Sequence, residues 1–209
     1  WLANNYTNYG AIKEYTSCRE SAIVTDLSPL RKFEILGPDA ENLMQYTLTR
    51  NVKKLSVGQI SYTAMCYENG CMIDDGTIMK LGQDNFRWVG GQEYGGEWLK
   101  EQAKKKNFKV WVKSSTDQIH NIAVQGPNSR KILQKFVWTP DTQPSIENLE
   151  WFRLTIARID SVTGWATKNL TEDEQRIAVD IGAKKELNLN FFKLILSVIE
   201  FIFEINFYS

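Results

Sequence analysis

The chain has 209 residues, of which 43% are hydrophobic and 24% charged, the composition of an ordinary globular protein with one or two buried cores. Lysine plus arginine equals aspartate plus glutamate at 25 each, so the formal net charge is zero. This balance argues against the clustered basic surface of a nucleic-acid-binding protein, and we expect the basic run at 104–106 to be a solvated helix end.

Cysteine and histidine usage limits the chemistry further. Cys18, Cys66 and Cys71 form no CxxC pair, and their odd number favours a reducing compartment, the cytoplasm or the mitochondrial matrix, over a disulfide framework. His120 is the one histidine, and a single histidine with scattered cysteines does not assemble a tetrahedral metal site. We therefore expect no metal ion and a structural role for His120.

The first predicted elements are a helix, a strand and a second helix. Apolar residues at helical spacing predict a short helix within 8–18. Alternation over 32–36 predicts a half-buried strand, and Gly37-Pro38 ends it. The apolar stripe over 40–48 then predicts an amphipathic helix with the proline in its first turn.

A β-rich meander follows. Turn residues at 68–70 and 82–84 separate its predicted strands. The remaining predicted elements are strands 61–67, 72–81, 85–89 and 109–112, a helix over 97–106, and a final strand within 148–159. This pattern predicts an α+β fold with a mixed or antiparallel sheet and helices packed on it.

A second strand, Gly-Pro stop and helix repeat the pattern of 32–48. Strand 122–124 precedes Gly126-Pro127, and apolar residues at 132, 133 and 136 line the helix that follows. We interpret the repeat as two related β-α units on one shared sheet. The predicted organisation is an N-terminal fragment over 1–25, an α+β domain over 26–164 and a tail over 165–209.

Two adjacent carboxylates, Asp74 and Asp75, stand in the second meander strand. Neighbouring residues of a strand point to opposite faces, so one should face water and the other the packed side. A carboxylate on a packed face costs free energy unless it has a partner, and such placements occur at sites of chemistry. The alternative is that both residues cap or close the hairpin.

Motifs in a fixed order resemble the aminomethyltransferase family, which contains the T-protein of glycine cleavage and its folate-dependent relatives. The resemblance covers roughly residues 6–164. Its motifs are Thr25-Asp26-Leu27-Ser28-Pro29-Leu30, Gly37-Pro38-Asp39-Ala40, Val57-Gly58-Gln59, Asn69-Gly70-x-x-Ile73-Asp74-Asp75 and Val124-Gln125-Gly126-Pro127.

The resemblance implies a folate-binding domain and a transfer of a one-carbon group to N5 of tetrahydrofolate. It places Asp75 as the catalytic carboxylate near N5, and it places Leu30, Tyr62 and Thr77 as folate-binding residues. Asp74 would be the solvent-facing or structural member of the pair. The implied partner is a small-molecule one-carbon donor or a lipoyl carrier protein, and neither a nucleic acid nor a membrane is expected.

The chain also departs from the family. Gly90-Gly91 stands where many T-proteins have an asparagine, and the expected Arg-Thr-Gly-Tyr-x-Gly-Glu segment does not follow residue 159. The apolar run in the tail is shorter and more interrupted than a membrane span requires. From these departures and the start at Trp1 we expect a truncated chain whose tail is foreign to the fold and packs badly or forms a detached helix. The alternative for the tail is a C-terminal helix that packs on the domain or on a partner. The alternative function is a non-catalytic remnant, or one half of a split enzyme.

Overall fold

The structure is a computed structural model that describes residues 10–135, 137–159 and 194–197. It divides into two compact units, which we call the sheet unit (residues 26–121 and 152–154) and the terminal unit (residues 1–25, 122–151 and 155–209). The described helices are α1 (Ala11–Glu20), α2 (Ala40–Thr47), α3 (Tyr94–Lys105) and α4 (Ser129–Leu133). The described strands are β1 (Ile23–Asp26), β2 (Arg31–Leu36), β3 (Ile60–Cys66), β4 (Met72–Gly82), β5 (Asn85–Gly90), β6 (Trp111–Ser114), β7 (Ile122–Gln125), β8 (Val137–Trp138), β9 (Leu154–Ile159) and β10 (Leu194–Ser197).

The sheet unit is built on a five-stranded sheet in the order β3-β4-β5-β2-β6, with every neighbouring pair antiparallel. The predicted meander is its centre, because short turns join β3 to β4 and β4 to β5. Gly70 adopts φ +85° in the first of these turns, a conformation that glycine reaches without steric cost. The predicted α+β class with an antiparallel sheet is confirmed.

The core of the sheet unit lies between one face of this sheet and helices α2 and α3. The long apolar side chains there are fully buried, and each contributes about 1.5–3 kcal/mol by leaving water. They include Phe33, Ile35, Leu43, Met65, Ile78, Phe86, Trp88 and Leu99. A Cβ at Gly96 would overlap the ring of Phe33, so this glycine lets α3 approach the sheet closely.

A β-bulge interrupts the pairing of β3 and β4 at the predicted carboxylates. Met65 pairs with Asp74, but Cys66 pairs with Met72, so Ile73 is the extra residue. The bulge resets the alternation of side chains, and Ile73 and Asp74 are therefore both buried although they are adjacent. Asp75 lies on the opposite face of the sheet from Asp74 and is exposed.

The two Gly-Pro turns have the same local structure. Gly37 and Gly126 adopt φ +132° and +133°, and the carbonyl of each accepts a bond of 2.9 Å from the amide three residues later, at Ala40 and Ser129. A Cβ at either glycine would overlap a backbone carbonyl of a neighbouring segment, at Lys109 and at Ser21 respectively. The repeat is therefore a real structural similarity.

The prediction of one shared sheet is wrong. β2, which precedes Gly37, lies in the five-stranded sheet, whereas β7, which precedes Gly126, pairs with β1 in a two-stranded sheet. The strand β1 was not predicted, and its pairing with β7 explains the error. The Gly-Pro sequence specifies a turn and a helix start, which are local, and it does not specify the strand partner.

Most of the tail prediction for 165–209 lies outside the described residues. Within it, Leu194–Ser197 forms β10 in a three-stranded sheet of order β10-β9-β8, so these four residues are a strand and not a helix. The strand expected within 148–159 begins only at Leu154. No helix in the part of the chain that the structure describes has the length and apolarity needed to cross a membrane.

Candidate functional site

The candidate site is an accessible tyrosine-carboxylate pair on the face of the five-stranded sheet that is opposite the core. Tyr62 on β3 pairs with Thr77 on β4, and Ala64 pairs with Asp75, so Tyr62 and Asp75 are diagonal neighbours on one face. The Tyr62 hydroxyl donates a hydrogen bond to Asp75 Oδ2. Asp75 is exposed and Tyr62 is 49% exposed, so both groups are accessible.

This hydrogen bond also keeps the phenol of Tyr62 neutral. The bond to the Asp75 carboxylate raises the pKa of Tyr62, and partial burial and the negative charge of Asp75 raise it further. The phenol therefore stays protonated at neutral pH and remains a donor. The site presents one carboxylate that is oriented by one neutral phenol.

The other two predicted residues lie at the same end of the sheet. Thr77 is buried directly across from Tyr62, beside the Tyr62–Asp75 pair. At this end of the sheet, β4, β5 and β2 are last paired at Gly76, Gly90 and Arg31. The next residue along each chain segment is Asp75, Gly91 and Leu30 respectively. Two strand spacings separate Leu30 from Asp75, about 10 Å. The structure thus brings Tyr62, Asp75 and Thr77 into contact range and places Leu30 across an end of β5.

Asp74 points to the opposite face and has a structural role. It is only 5% exposed, and its carboxylate accepts bonds from the Gly91 amide at 3.1 and 3.2 Å and from the Gln92 amide at 3.4 Å. These bonds tie the start of β4 to the loop that precedes α3. The expectation that Asp74 faces solvent is therefore wrong, because Asp74 lies across from the buried Met65 on the core face of the sheet, and its bonds agree with the structural role.

The two glycines at the end of β5 make room for this buried carboxylate. A Cβ at Gly90 would overlap Asp74 Oδ2 and would also press on Trp88 Nε1. Trp88 is fully buried in the core, as expected, and its Nε1 has no hydrogen-bond partner among the described residues. A side chain at position 90 is thus incompatible with the inward orientation of Asp74.

Lys32 is the residue near the site whose environment the pattern did not reveal. Its alternation with Phe33 predicted a half-buried strand with the lysine on the polar side, yet Lys32 is 1% exposed. Its ammonium bonds to the carbonyls of Ser28 and Leu30. A single lysine in an alternating strand carries no sequence signal that would have distinguished it from a solvated one.

A groove of about 540 Å³ lies elsewhere in the sheet unit, between the β3–β4 turn and α3. Tyr67 and Trp98 meet edge to face in it, with ring centroids 5.2 Å apart. None of the residues lining it belongs to the predicted set. We therefore place the candidate site at Tyr62 and Asp75, where an oriented acid is accessible, and treat the groove as a separate surface feature.

Comparison with known proteins places this arrangement in a family. The chain is 58% identical over 164 residues to the trimethylamine-oxide aldolase of Ruegeria pomeroyi. The aligned region covers 78% of this chain and 21% of that protein. It is 34% identical over 148 residues to the aminomethyltransferase of Alkaliphilus metalliredigens, covering 69% of the chain and 38% of that protein. The chain thus spans about a fifth to two fifths of the length of these relatives.

A solved structure shows the same fold. The glycine cleavage system aminomethyltransferase T from Bartonella henselae matches with a TM-score of 0.55 and 22% identity over 69% of this chain and 38% of that chain. Residues 1–168 match the GCVT N-terminal domain family. This match covers most of the chain, and the chain therefore belongs to the GCVT N-terminal domain family, among whose members are aminomethyltransferases.

Proposed function

We propose that this chain carries the tetrahydrofolate site of a one-carbon transferase, of the aminomethyltransferase or demethylase type. The observation that carries the proposal is the exposed Asp75 carboxylate held by the Tyr62 hydroxyl at one end of the sheet. Membership of a family that contains aminomethyltransferases supports the same reading.

The residues present fit a flat heteroaromatic ring with a reactive nitrogen. Tyr62 supplies an aromatic face with a polar tip, and Leu30 supplies an apolar wall at the same sheet end. Thr77 is small and lies between β3 and β5. Gly91, at the end of β5, lies level with Asp75 and has no side chain to fill the space there. These groups leave a shallow, partly apolar surface with one carboxylate.

When bound, tetrahydrofolate supplies the N5 nitrogen that receives the one-carbon group. Asp75 would hold a negative charge beside this nitrogen, where it could stabilise developing positive charge and accept a proton. Tyr62 keeps the carboxylate in one orientation through its hydrogen bond, so the charge is placed before the reaction begins. Tyr62 is thus a positioning residue and Asp75 the catalytic one.

The one-carbon donor is a further part of the proposal. One relative is named trimethylamine-oxide aldolase and another aminomethyltransferase. Both names refer to compounds in which a one-carbon unit is bound to nitrogen. We propose that the donor is either a small methylated or aminomethyl compound or the aminomethyl group of a lipoyl carrier protein. The described site holds no group that selects between these donors.

Titration of tetrahydrofolate into the purified chain, followed by calorimetry, tests the proposal. We expect saturable binding by the wild type, and we expect Asp75→Asn to remove most of the one-carbon transfer while the fold persists. Asp84→Asn, which alters an exposed acid in the β4–β5 turn, is the matched control and should behave as wild type. An absence of binding by the wild type would favour the non-catalytic remnant instead.

A further inference from the structure

The loop that carries Leu30 is half-buried and is held by several hydrogen bonds. We call residues 26–30 the Leu30 loop. Asp26 Oδ1 accepts a bond of 2.8 Å from the Ser28 amide, and the Leu30 amide bonds to the Leu27 carbonyl at 3.0 Å. Two further bonds join the loop to Asn121, whose carbonyl accepts from Leu27 N at 2.7 Å and whose amide donates to Ser28 Oγ at 3.1 Å.

Lys32 adds two further hydrogen bonds to this loop. Its ammonium donates to the Ser28 carbonyl at 2.9 Å and to the Leu30 carbonyl at 2.8 Å. The carbonyls on both sides of Pro29 are therefore held by one cation. Within the described chain no carboxylate lies within ion-pair distance of Lys32, so these two carbonyls are the groups that compensate its charge directly.

Such a placement is costly, because a buried ammonium loses its hydration. Burial lowers the pKa of Lys32, and the charges of Arg31 and Arg87 lower it further, whereas Asp26 and Asp117 raise it. The cost is offset only in part by the two carbonyls. A lysine that served the strand alone would extend into water, so the burial indicates that the geometry of the loop matters.

The position of the loop connects it to the candidate site. Lys32 lies in the same row of paired residues as Tyr62 and Thr77, through Val89 on β5. Leu30 lies two rows further on, beside Gly91 and at the level of Asp75. The ammonium thus acts on the backbone of the one predicted ligand-binding residue that does not stand on β3 or β4.

We propose that Lys32 is a positioning residue that clamps the Leu30 loop and so sets the affinity of the site for reduced folate. This inference rests on the proposed function, since it assigns Leu30 to the same ligand. Lys32 itself does not touch the ligand, because it is buried and its ammonium donates to two loop carbonyls. Its effect is on binding and not on the chemical step.

A second buried lysine gives a matched control. Lys80 is 4% exposed on β4 and pairs with Glu41 of α2 at 2.6 Å. Removing its charge leaves a single carboxylate that is partly exposed and does not touch the Leu30 loop. Lys80→Met and Lys32→Met therefore each remove one buried ammonium from the sheet unit. The first variant removes a contact to α2, and the second removes the contacts to the Leu30 loop.

The experiment combines amide hydrogen exchange of the Leu30 loop with calorimetric titration of tetrahydrofolate, in wild type and both variants. We expect Lys32→Met to speed exchange at Leu30 and to weaken tetrahydrofolate binding, each by about tenfold or more, because two charge-assisted bonds are lost. The rate of transfer at saturating folate should stay near that of wild type. Lys80→Met should leave loop exchange and folate affinity unchanged.

The outcomes separate this inference from the proposed function. Faster loop exchange with folate affinity within twofold of wild type would overturn the role in binding, and unchanged exchange would overturn the clamp itself. If the wild type binds no folate, the proposed function fails and the assignment of Leu30 to that ligand fails with it, while exchange still decides the clamp. Lys32→Gln, which keeps an N–H donor, provides the same comparison if Lys32→Met does not fold, and it should recover part of the loop protection.

Discussion

Two neighbouring carboxylates in β4 have opposite environments and, in our account, opposite roles. Asp74 is buried, accepts three hydrogen bonds from the backbone of Gly91 and Gln92, and holds a loop in place. Asp75 is exposed and has one described side-chain partner, the hydroxyl of Tyr62. The comparison shows that a carboxylate already satisfied by backbone amides is structural, whereas an accessible one held by a single phenol is available for chemistry.

The largest expected effect belongs to Asp75. Asp75→Asn keeps the size and shape of the side chain and removes its charge, so we expect one-carbon transfer to tetrahydrofolate to fall about 10²–10³-fold. The free energy of unfolding should change by less than about 0.5 kcal/mol, as at other exposed positions. The rate is measured with the donor that the wild type uses, and stability by urea denaturation. A rate equal to that of wild type would move the chemistry to another residue.

Asp74 should show the reverse behaviour. Asp74→Ala leaves the amides of Gly91 and Gln92 without their buried acceptor, and we expect a loss of about 1–3 kcal/mol in the free energy of unfolding. Urea denaturation measures this loss, with Asp84→Ala in an exposed turn as the control. A stability equal to that of wild type would contradict the structural role of Asp74.

Gly90→Ala tests the buried position of Asp74 from the neighbouring strand, β5. The added methyl group would overlap the Asp74 carboxylate, so the carboxylate must move or the strand must shift. We expect a destabilisation of about 1–3 kcal/mol, as in other overpacked cores. In the double variant with Asp74→Ala the methyl group gains space, and the two destabilisations should be less than additive. Full additivity in thermal or urea unfolding would contradict the contact.

A smaller effect is expected at Tyr62. Tyr62→Phe removes the hydroxyl that orients Asp75 and keeps the aromatic ring, so transfer should slow by about tenfold, less than the loss for Asp75→Asn. Folate affinity should change little, because the ring remains. A loss of affinity without a change in rate would assign the hydroxyl to ligand binding and not to the orientation of Asp75.

The pH dependence of the pair gives the smallest expected effect. The folded-state pKa of Tyr62 lies above its ordinary value near 10, because the Asp75 carboxylate accepts its proton in a hydrogen bond. The stabilisation from this bond is therefore fully present below pH about 10 and is lost as the pH rises through the higher folded-state value. Ultraviolet titration of wild type against Tyr62→Phe isolates this tyrosine. A difference spectrum that titrates at or below pH 10 would contradict the hydrogen bond.

Much of the sheet unit was predictable, because its strands alternate and its turns carry glycine. The helix α2 and the three meander strands were placed within one or two residues of their observed bounds. The sequence also indicated that one of Asp74 and Asp75 would be packed and the other exposed. It did not indicate which, since the bulge opposite Cys66 changes the phase of β4 and bulges leave no clear pattern in one sequence.

Non-local pairings explain what was missed. The repeat of Gly37-Pro38 at Gly126-Pro127 predicted equal turns, but the partner of β7 is set by β1, more than 90 residues earlier in the chain. The burial of Lys32 likewise depends on carbonyls in a preceding loop. Such contacts come from tertiary packing, which overrides the local preference of a residue.

Hydrogen exchange of the wild-type chain with and without tetrahydrofolate locates the bound ligand without knowledge of the donor. We predict that added tetrahydrofolate slows exchange at the paired ends of β3 and β4, around Tyr62 and Asp75, and in the Leu30 loop. The groove at Tyr67 and Trp98 should show no change. Protection confined to that groove, or no protection anywhere, would contradict the assignment of Asp75 as the catalytic carboxylate of a folate site.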